Sequence, residues 1–405
     1  MRRFLASSVT MQQDSTRELF PDLARACALC GIALVNVILF AYPGVTGYPA
    51  AALATPWDQA AWFIVAALFL YKSYTLFSFM FGVGFAQQQS AAQRSEAGFA
   101  GRYARRMLGL LLLGFANIAL LFYGDILVVY ALFGTVLYLF RNAAVERLIR
   151  WGRGLYVLQV VIACGFALAM WTWASFAPEE LAMEAAALQQ EAAPSYAAFS
   201  SSDFMRVAAF RLESWQQDIA YAISLQGFGV IAFFLFGLAA ARAGLLRDPA
   251  APFWDRSRRR YLPLGVAANL VGAWLLVSAE SVLDPREMLG LAIIAAASPW
   301  STAGYLGLIA AWVHAPDSAL RRFMARAGSA SLTGYLMQGL LMSLLFCGYG
   351  LGLYGKIGAA GCVLLAAAAA LASLAFCSLW RQRQARGPVE ALLRAWTYLG
   401  PRPRA

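Results

Sequence analysis

Apolar positions along the chain fall into ten long runs separated by short polar stretches. They cover roughly 26–44, 60–87, 103–122, 125–141, 151–175, 221–242, 261–279, 288–313, 329–347 and 356–379. A helix needs ~20 predominantly apolar residues to cross a bilayer. The pattern therefore predicts an all-α, polytopic membrane helical bundle of about ten transmembrane helices. The second run is over-long and is interrupted by Lys72, which predicts a tilted or broken span there. The longest stretch without such a run is 176–220. It carries Glu179, Glu180, Glu184, Glu191, Asp203, Glu213 and Asp218 against Arg206 and Arg211. Its part 179–192 is rich in Ala, Glu and Gln, which favour helix, and it fits either a cap over the bundle or a solvated connector. The predicted organisation is a tail 1–25, a five-span half 26–175, the acidic segment 176–220, a second half 221–379 and a basic tail 380–405.

Five is odd, so the two halves have opposite orientations, an arrangement common in transporters. No inverted echo accompanies it. The internal echo found is FMFG at 79–82 and FLFG at 234–237, in spans that run the same way. Small residues beside aromatics at a helix contact account for it equally well.

Charge gives the orientation. With the N-terminus in the cytoplasm, 27 of the 32 basic residues fall on the cytoplasmic side, in six arginine clusters. Arg206, Arg211, Arg286 and Lys356 fall outside, and Lys72 lies within a span. This is the positive-inside pattern. It places both termini in the cytoplasm. The net charge of +11 is then topology rather than nucleic-acid binding, with membrane lipids as the partners. With 61% hydrophobic and 13% charged residues, the chain is far from soluble-domain composition. The first apolar run has no small-residue cleavage pattern and reads as a retained span.

Several motifs carry less than their letters suggest. Cys27 and Cys30 form a CxxC with no second pair and no histidine cluster, so helix packing fits better than metal or redox chemistry. Gly350, Gly352 and Gly355 spell GxGxxG after a membrane helix rather than a strand, which excludes a dinucleotide fold and leaves a re-entrant turn. His314, the single histidine, lies just past a span and reads as a surface residue.

Polar residues at membrane depth are costly and mark candidate sites. Two roles fit Lys72: binding an anionic substrate or a buried acid, or snorkelling from a helix break. Asp125 is its most attractive partner, and it also stands where a carboxylate would cap the fourth helix. Asn36, Asn117 and Gln338 need partners in lipid. With Tyr335 they suggest a polar cavity toward the outer face. At the other end Asp22 and Arg25 are spaced i, i+3 on one face. Arg102, Arg105 and Arg106 open the third span there, suited to donor phosphates or to lipid headgroups.

Five stretches together resemble one family, the YeiB-like inner-membrane proteins of domain-of-unknown-function 418. They are DLARACALCGIALVNVILF (22–40), KSYTLFSFMFGVGF (72–85), RRMLGLLLLGFANIALLFYGDILVVYALFG (105–134), GSASLTGYLMQGLLMSLLFCGYGLGLYG (328–355) and RGPVEALLRAWTY (386–398). They follow the family's order over nearly the whole chain, with its defining domain at about 221–400. The family is grouped by similarity with transmembrane acyltransferases. The resemblance thus implies acyl-CoA as co-substrate, no bound cofactor or metal, and a small-molecule or glycan acceptor. It implies donor binding by Asp22 and Arg25, with Arg105 and Arg106 beside them, and catalysis by Lys72, Asn117 and Asp125. Lys72 would stabilise an oxyanion and Asp125 would orient or deprotonate the acceptor. Asn36, Tyr335 and Gln338 would line the acceptor cavity. Three positions depart from the pattern: Asn117 stands where the family has histidine, Gly334 where it has asparagine, and Ala26 where it has glycine. The first departure leaves Asp125 as the base, and keeps open a transporter or a non-catalytic membrane protein.

Overall fold

A computed structural model of the chain describes residues 2–44, 46–94 and 98–399. Arg402 and Arg404 of the expected basic tail lie outside these residues, as do the side chains of Arg2, Arg3, Arg17 and Asp218. The regular structure of the described chain is all helix, with no strand among the described residues. In order the helices are α1 (Arg2–Ala41), α2 (Pro56–Leu68), α3 (Lys72–Arg94), α4 (Phe99–Leu120), α5 (Leu127–Leu137) and α6 (Val145–Phe176). Then come α7 (Pro178–Glu191), α8 (Ala193–Phe199), α9 (Phe204–Ala222), α10 (Phe228–Arg242), α11 (Pro252–Arg256) and α12 (Leu262–Ser278). The chain closes with α13 (Pro285–His314), α14 (Ala319–Gly328), α15 (Ser331–Phe346), α16 (Ala359–Arg383) and α17 (Pro388–Thr397).

Among the described residues, eight helical stretches are long and apolar enough to cross a membrane, and a ninth is the α14–α15 pair, bent by 86°. The remaining expected span, the fourth at 125–141, is shorter: α5 with a 3-10 turn gives an apolar helix Leu127–Phe140. The acidic segment is α7, α8 and α9. α7 buries no residue, whereas α8 and α9 contribute Phe199 and Val207 to a small aromatic core with Tyr123 and Tyr354.

Side-chain contacts define two ends of the bundle. At one, Arg242 donates to Gln89 Oε1 at 2.9 Å and to the carbonyls of Arg141 and Ala143. Arg326 donates to Ser378 (3.2 Å) and Arg381 to Ser329 (2.6 Å). At the other end the Gly355 N–H donates to the Ala41 carbonyl at 2.8 Å, which ties the 348–355 turn to the end of α1. Asp58 serves two helix starts there. It forms a capping box with Thr55 at α2 and accepts from the Ala360 N–H at 2.9 Å in the first turn of α16. A carboxylate beside two sets of unpaired N–H groups also complements both helix dipoles.

Breaks in the helices are satisfied individually, as a low-dielectric interior requires. Pro299 inside α13 leaves the Ala295 carbonyl without its i+4 donor, and the Tyr156 hydroxyl donates to it at 2.7 Å. Gln159 answers the π-turn at Ile223–Gly227, donating to the Leu225 carbonyl and accepting from the Gly229 N–H at 3.0 Å. At the sharp α14–α15 bend, Glu390 of α17 accepts from the N–H groups of Leu332 (2.7 Å) and Thr333 (3.2 Å).

Candidate functional site

The over-long second run is broken where Lys72 interrupts it. α2 ends at Leu68, α3 begins at Lys72, and Tyr71 between them has φ 66°. Ending a helix inside the bundle orphans its last carbonyls. The Val65 carbonyl accepts from Phe69 and Leu70, the Leu68 carbonyl from the Tyr305 hydroxyl at 2.9 Å, and the Ala66 carbonyl from Lys72 Nζ at 3.2 Å. Lys72 is 1% exposed, and its bond to Ala66 sets the ammonium at the negative end of the α2 dipole, where a cation is favoured. The pairing with Asp125 is not made. Lys72 has no carboxylate within ion-pair distance among the described residues, because the break turns it back onto α2. An ammonium carries three N–H donors, so the Ala66 bond leaves two uncommitted among the described residues.

Asp125 sits in the tight turn between α4 and α5 and is 5% exposed. Its Oδ1 accepts from the Val128 N–H at 3.1 Å, in the first turn of α5. Its Oδ2 accepts from Asn117 Nδ2 at 2.6 Å and from the Tyr335 hydroxyl at 3.2 Å. Capping and membership of a polar cluster are thus combined in one carboxylate. Gln338 on α15 donates to the Leu29 carbonyl (3.1 Å) and to Ser373 (3.2 Å). Asn117 Oδ1 and Gln338 Oε1 are buried without a partner among the described residues. Both residues border a gap of ≈ 10 Å³ shared with Asn36 and Tyr335. Asn36, Asn117, Tyr335 and Gln338 are therefore brought together.

Two larger cavities meet at the helix break. One, of ≈ 360 Å³, is walled by Asp125, Asn36, Tyr71, Tyr74, Trp62 and Trp215. Tyr74 Oη and Trp215 Nε1 on its wall are buried polar atoms with no partner among the described residues. The other, ≈ 400 Å³, is a mostly apolar cleft between α1, α3 and α13, with Lys72, Ser73 and Tyr305 as its polar residues beside Leu76, Ile309 and Trp312. Phe69 and Ser73 border both. Lys72 borders only the apolar cleft, and Asp125 only the polar cavity.

At the arginine-rich end Asp22 and Arg25 form the expected i, i+3 ion pair at 3.0 Å, half-way along α1 rather than in a separate tail. The Arg25 guanidinium approaches Gly84 of α3. Arg106 is a charge neighbour of Arg25, and its Nε is buried without a partner among the described residues. Arg105 turns elsewhere, donating from Nε to the Thr397 carbonyl at 2.9 Å.

One residue of this architecture escapes sequence reasoning. Arg211 of α9 is 1% exposed. Its guanidinium donates to the Leu120 carbonyl (2.8 Å), Ser343 Oγ (2.7 Å) and Tyr349 Oη (2.8 Å). It thereby joins the acidic segment to the ends of α4 and α15. The available signal is its place among the few basic residues on the arginine-poor side. No group of His, Cys, Asp or Glu that could hold a metal occurs among the described residues.

Comparison with known proteins adds relatives. A family model described as "Protein of unknown function (DUF418)" matches residues 240–400. Uncharacterized protein YxaH of Bacillus subtilis (strain 168) is 30% identical over 405 residues, covering 95% of each chain. Uncharacterized protein YeiB of Escherichia coli (strain K12) is 26% identical over 392 residues, covering 93% of this chain and 95% of its own. No solved structure matches.

Proposed function

The chain belongs to the DUF418 family, and from that premise we propose a transmembrane acyltransferase that carries an acyl group to a hydroxyl or amine at the outer side. It resides in a bacterial inner membrane with the arginine-rich end in the cytoplasm, as the positive-inside pattern requires. The junction of the two cavities carries this reading: an apolar cleft suited to an acyl chain abuts a polar, aromatic-walled cavity suited to a hydroxylated acceptor, across Phe69 and Ser73.

In this mechanism acyl-CoA is the donor, with Arg25, oriented by Asp22, and Arg106 contacting its phosphates. The acceptor oxygen attacks the thioester carbonyl and the carbon–sulfur bond breaks. Asp125 takes the acceptor proton and returns it to the departing CoA thiolate. Asn117 and Tyr335 position that carboxylate, and the spare donors of Lys72 offset charge on the carbonyl oxygen. The cleft wall must yield at Phe69 for Lys72 and Asp125 to act on one carbonyl.

Calorimetry of purified protein with short-chain acyl-CoA tests the reading. Saturable binding lost in Arg25→Ala, and acyl transfer lost in the folded Asp125→Asn variant, are expected. Asn117→His restores the family's residue and should raise turnover. Folded protein that binds no acyl-CoA sinks the proposal. A span broken at membrane depth equally suits a transporter. That reading requires substrate flux, abolished by Lys72→Ala, with no covalent product.

A further inference from the structure

The apolar cleft is open on one side within the membrane. Leu308 on its wall is 44% exposed. It belongs to α13, which is long and apolar enough to cross a bilayer, so this side of the cleft meets lipid chains rather than water. The polar groups gather at one end. Lys72 Nζ and the Tyr305 hydroxyl both donate to the last carbonyls of α2, at 3.2 and 2.9 Å. The Ser73 hydroxyl is committed to the Phe69 carbonyl at 2.9 Å. From Tyr305, α13 rises ~10 Å to Trp312, whose carbonyl accepts from Arg321 at the arginine-rich end. Leu308, Ile309 and, from α3, Leu76 supply the wall along that stretch.

Shape and charge together select an occupant. A dry apolar cavity of about 150 Å³ holds benzene. By that measure the ≈ 400 Å³ of the cleft has room for a chain of roughly ten to sixteen carbons. At its polar end the Lys72 ammonium is 1% exposed and has no carboxylate within ion-pair distance among the described residues. That end therefore favours an oxygen acceptor able to carry negative charge. A phospholipid phosphate stays ionised, and carrying a charge to membrane depth is costly. A carboxylic acid escapes that cost by entering in its neutral form, and it brings one chain rather than two.

We infer that the cleft binds a single-chain fatty acid taken sideways from the bilayer, with its carboxyl group on Lys72 and its tail running past Ile309 to Trp312. The carboxyl oxygens accept the N–H groups that the Ala66 bond leaves over. The inference deepens the acyl-transfer reading and rests on it in one respect: with the cleft as the acyl chamber, the transferred group is a long chain rather than acetyl. Binding itself requires no transfer.

Tryptophan quenching in phosphatidylcholine nanodiscs tests the inference. Full-length protein is titrated with ω-bromoundecanoate, whose terminal bromine quenches an indole that it touches, and with the uncharged ω-bromoundecanol. Probe dissolved in the bilayer quenches exposed tryptophans such as Trp171 and Trp274 without saturating, and the Trp312→Phe variant reads that background. The expected result is a saturable component with the acid that Trp312→Phe lacks. It should require about tenfold more of the alcohol, and about tenfold more of the acid in Lys72→Met. Equal saturation by acid and alcohol in wild type overturns the carboxyl assignment whether or not Lys72→Met folds. No component that separates wild type from a folded Trp312→Phe overturns the site. Protein that binds short-chain acyl-CoA without acid-specific quenching keeps acyl transfer and loses the fatty acid. Acid-specific quenching without acyl-CoA binding keeps the fatty acid and sinks acyl transfer.

Discussion

Replacing Gly82 by alanine should destabilise the bundle, although alanine is the better helix former. Gly82 of α3 faces α10, where an added Cβ would collide with the Phe234 carbonyl oxygen and lie 2.9 Å from the Leu238 nitrogen. Gly237 of α10 makes the reciprocal contact, its Cβ colliding with the Phe79 carbonyl oxygen. Both obstacles are backbone, so no side-chain rotation relieves them. Exchanging glycine for alanine inside a helix gains about 1 kcal/mol in propensity. Overpacking costs about 1–3 kcal/mol and more where the site cannot yield. Restoring carbon contacts to ~3.5 Å requires the two helices to part. That loosens the Phe81–Phe234 stack, at 4.4 Å between centroids, and the Tyr130–Phe234 edge contact at 5.1 Å. The steric cost wins, and a net loss of ~2 kcal/mol follows. Gly237→Ala should behave alike, and the double variant should lose less than the sum, because one separation relieves both clashes. Gly154→Ala on α6, with nothing within 4 Å of its Cβ, is the control and should be neutral or stabilising. Thermal unfolding in nanodiscs reads all four. Gly82→Ala matching Gly154→Ala in sign would refute the close α3–α10 contact.

Other substitutions probe single polar connections. Arg211→Met removes three oxygen-directed hydrogen bonds of a buried guanidinium. It should cost ~2–4 kcal/mol, offset in part by the desolvation no longer required; limited proteolysis should then cut within 176–220 sooner than in wild type. Glu390→Ala leaves the N–H groups of Leu332 and Thr333 without their acceptor. It should lower stability by ~1–2 kcal/mol, and an unchanged Tm would contradict the cap. Hydrogen bonding from Arg322, then from Arg321, holds the exposed Asp317 carboxyl below the usual carboxylate range. Its contribution is therefore present above pH ~4 and fades as pH falls through the lowered value. Asp317→Asn should differ from wild type at neutral pH and converge with it in acid, as pH-dependent unfolding will show.

What the sequence makes legible here follows the length scale of each interaction. Long apolar runs are a local property, so the helical bundle was readable, and so was the break, because Lys72 interrupts an over-long run. The weak FMFG and FLFG echo marked a real contact: Gly82 and Gly237 belong to its two copies and pack on each other's helix. The short α5 and the 86° bend between α14 and α15 were not legible, since apolar composition continues through both. The cluster of Asn117, Asp125 and Tyr335 joins α4, its outer turn and α15, and its residues were found by the cost of polar groups at depth. Their bonding was not, because it depends on how each helix rotates. The same limit explains Lys72, whose direction is set by three non-helical residues, and Arg211, whose burial depends on two helix ends distant in sequence.

The helix break itself argues against a purely mechanical reading of the site. A continuous helix over Pro56–Arg94 would be 39 residues and about 58 Å long, nearly twice the ~30 Å hydrocarbon thickness. Excess length alone calls for tilt, not for a break at depth. The break instead places Tyr71 at φ 66°, a left-handed conformation that costs a side-chain-bearing residue about 1–2 kcal/mol. It also ends α2 inside the bundle, so that Lys72 and Tyr305 must answer its carbonyls. In return it sets the Tyr71 side chain in the wall of the polar cavity, with Lys72 one residue away in the wall of the apolar cleft. Strain retained at such a point is ordinarily tied to function. Phe69 and Ser73, on either side of Tyr71, border both chambers, so the strained turn and the boundary between the chambers fall on the same piece of backbone.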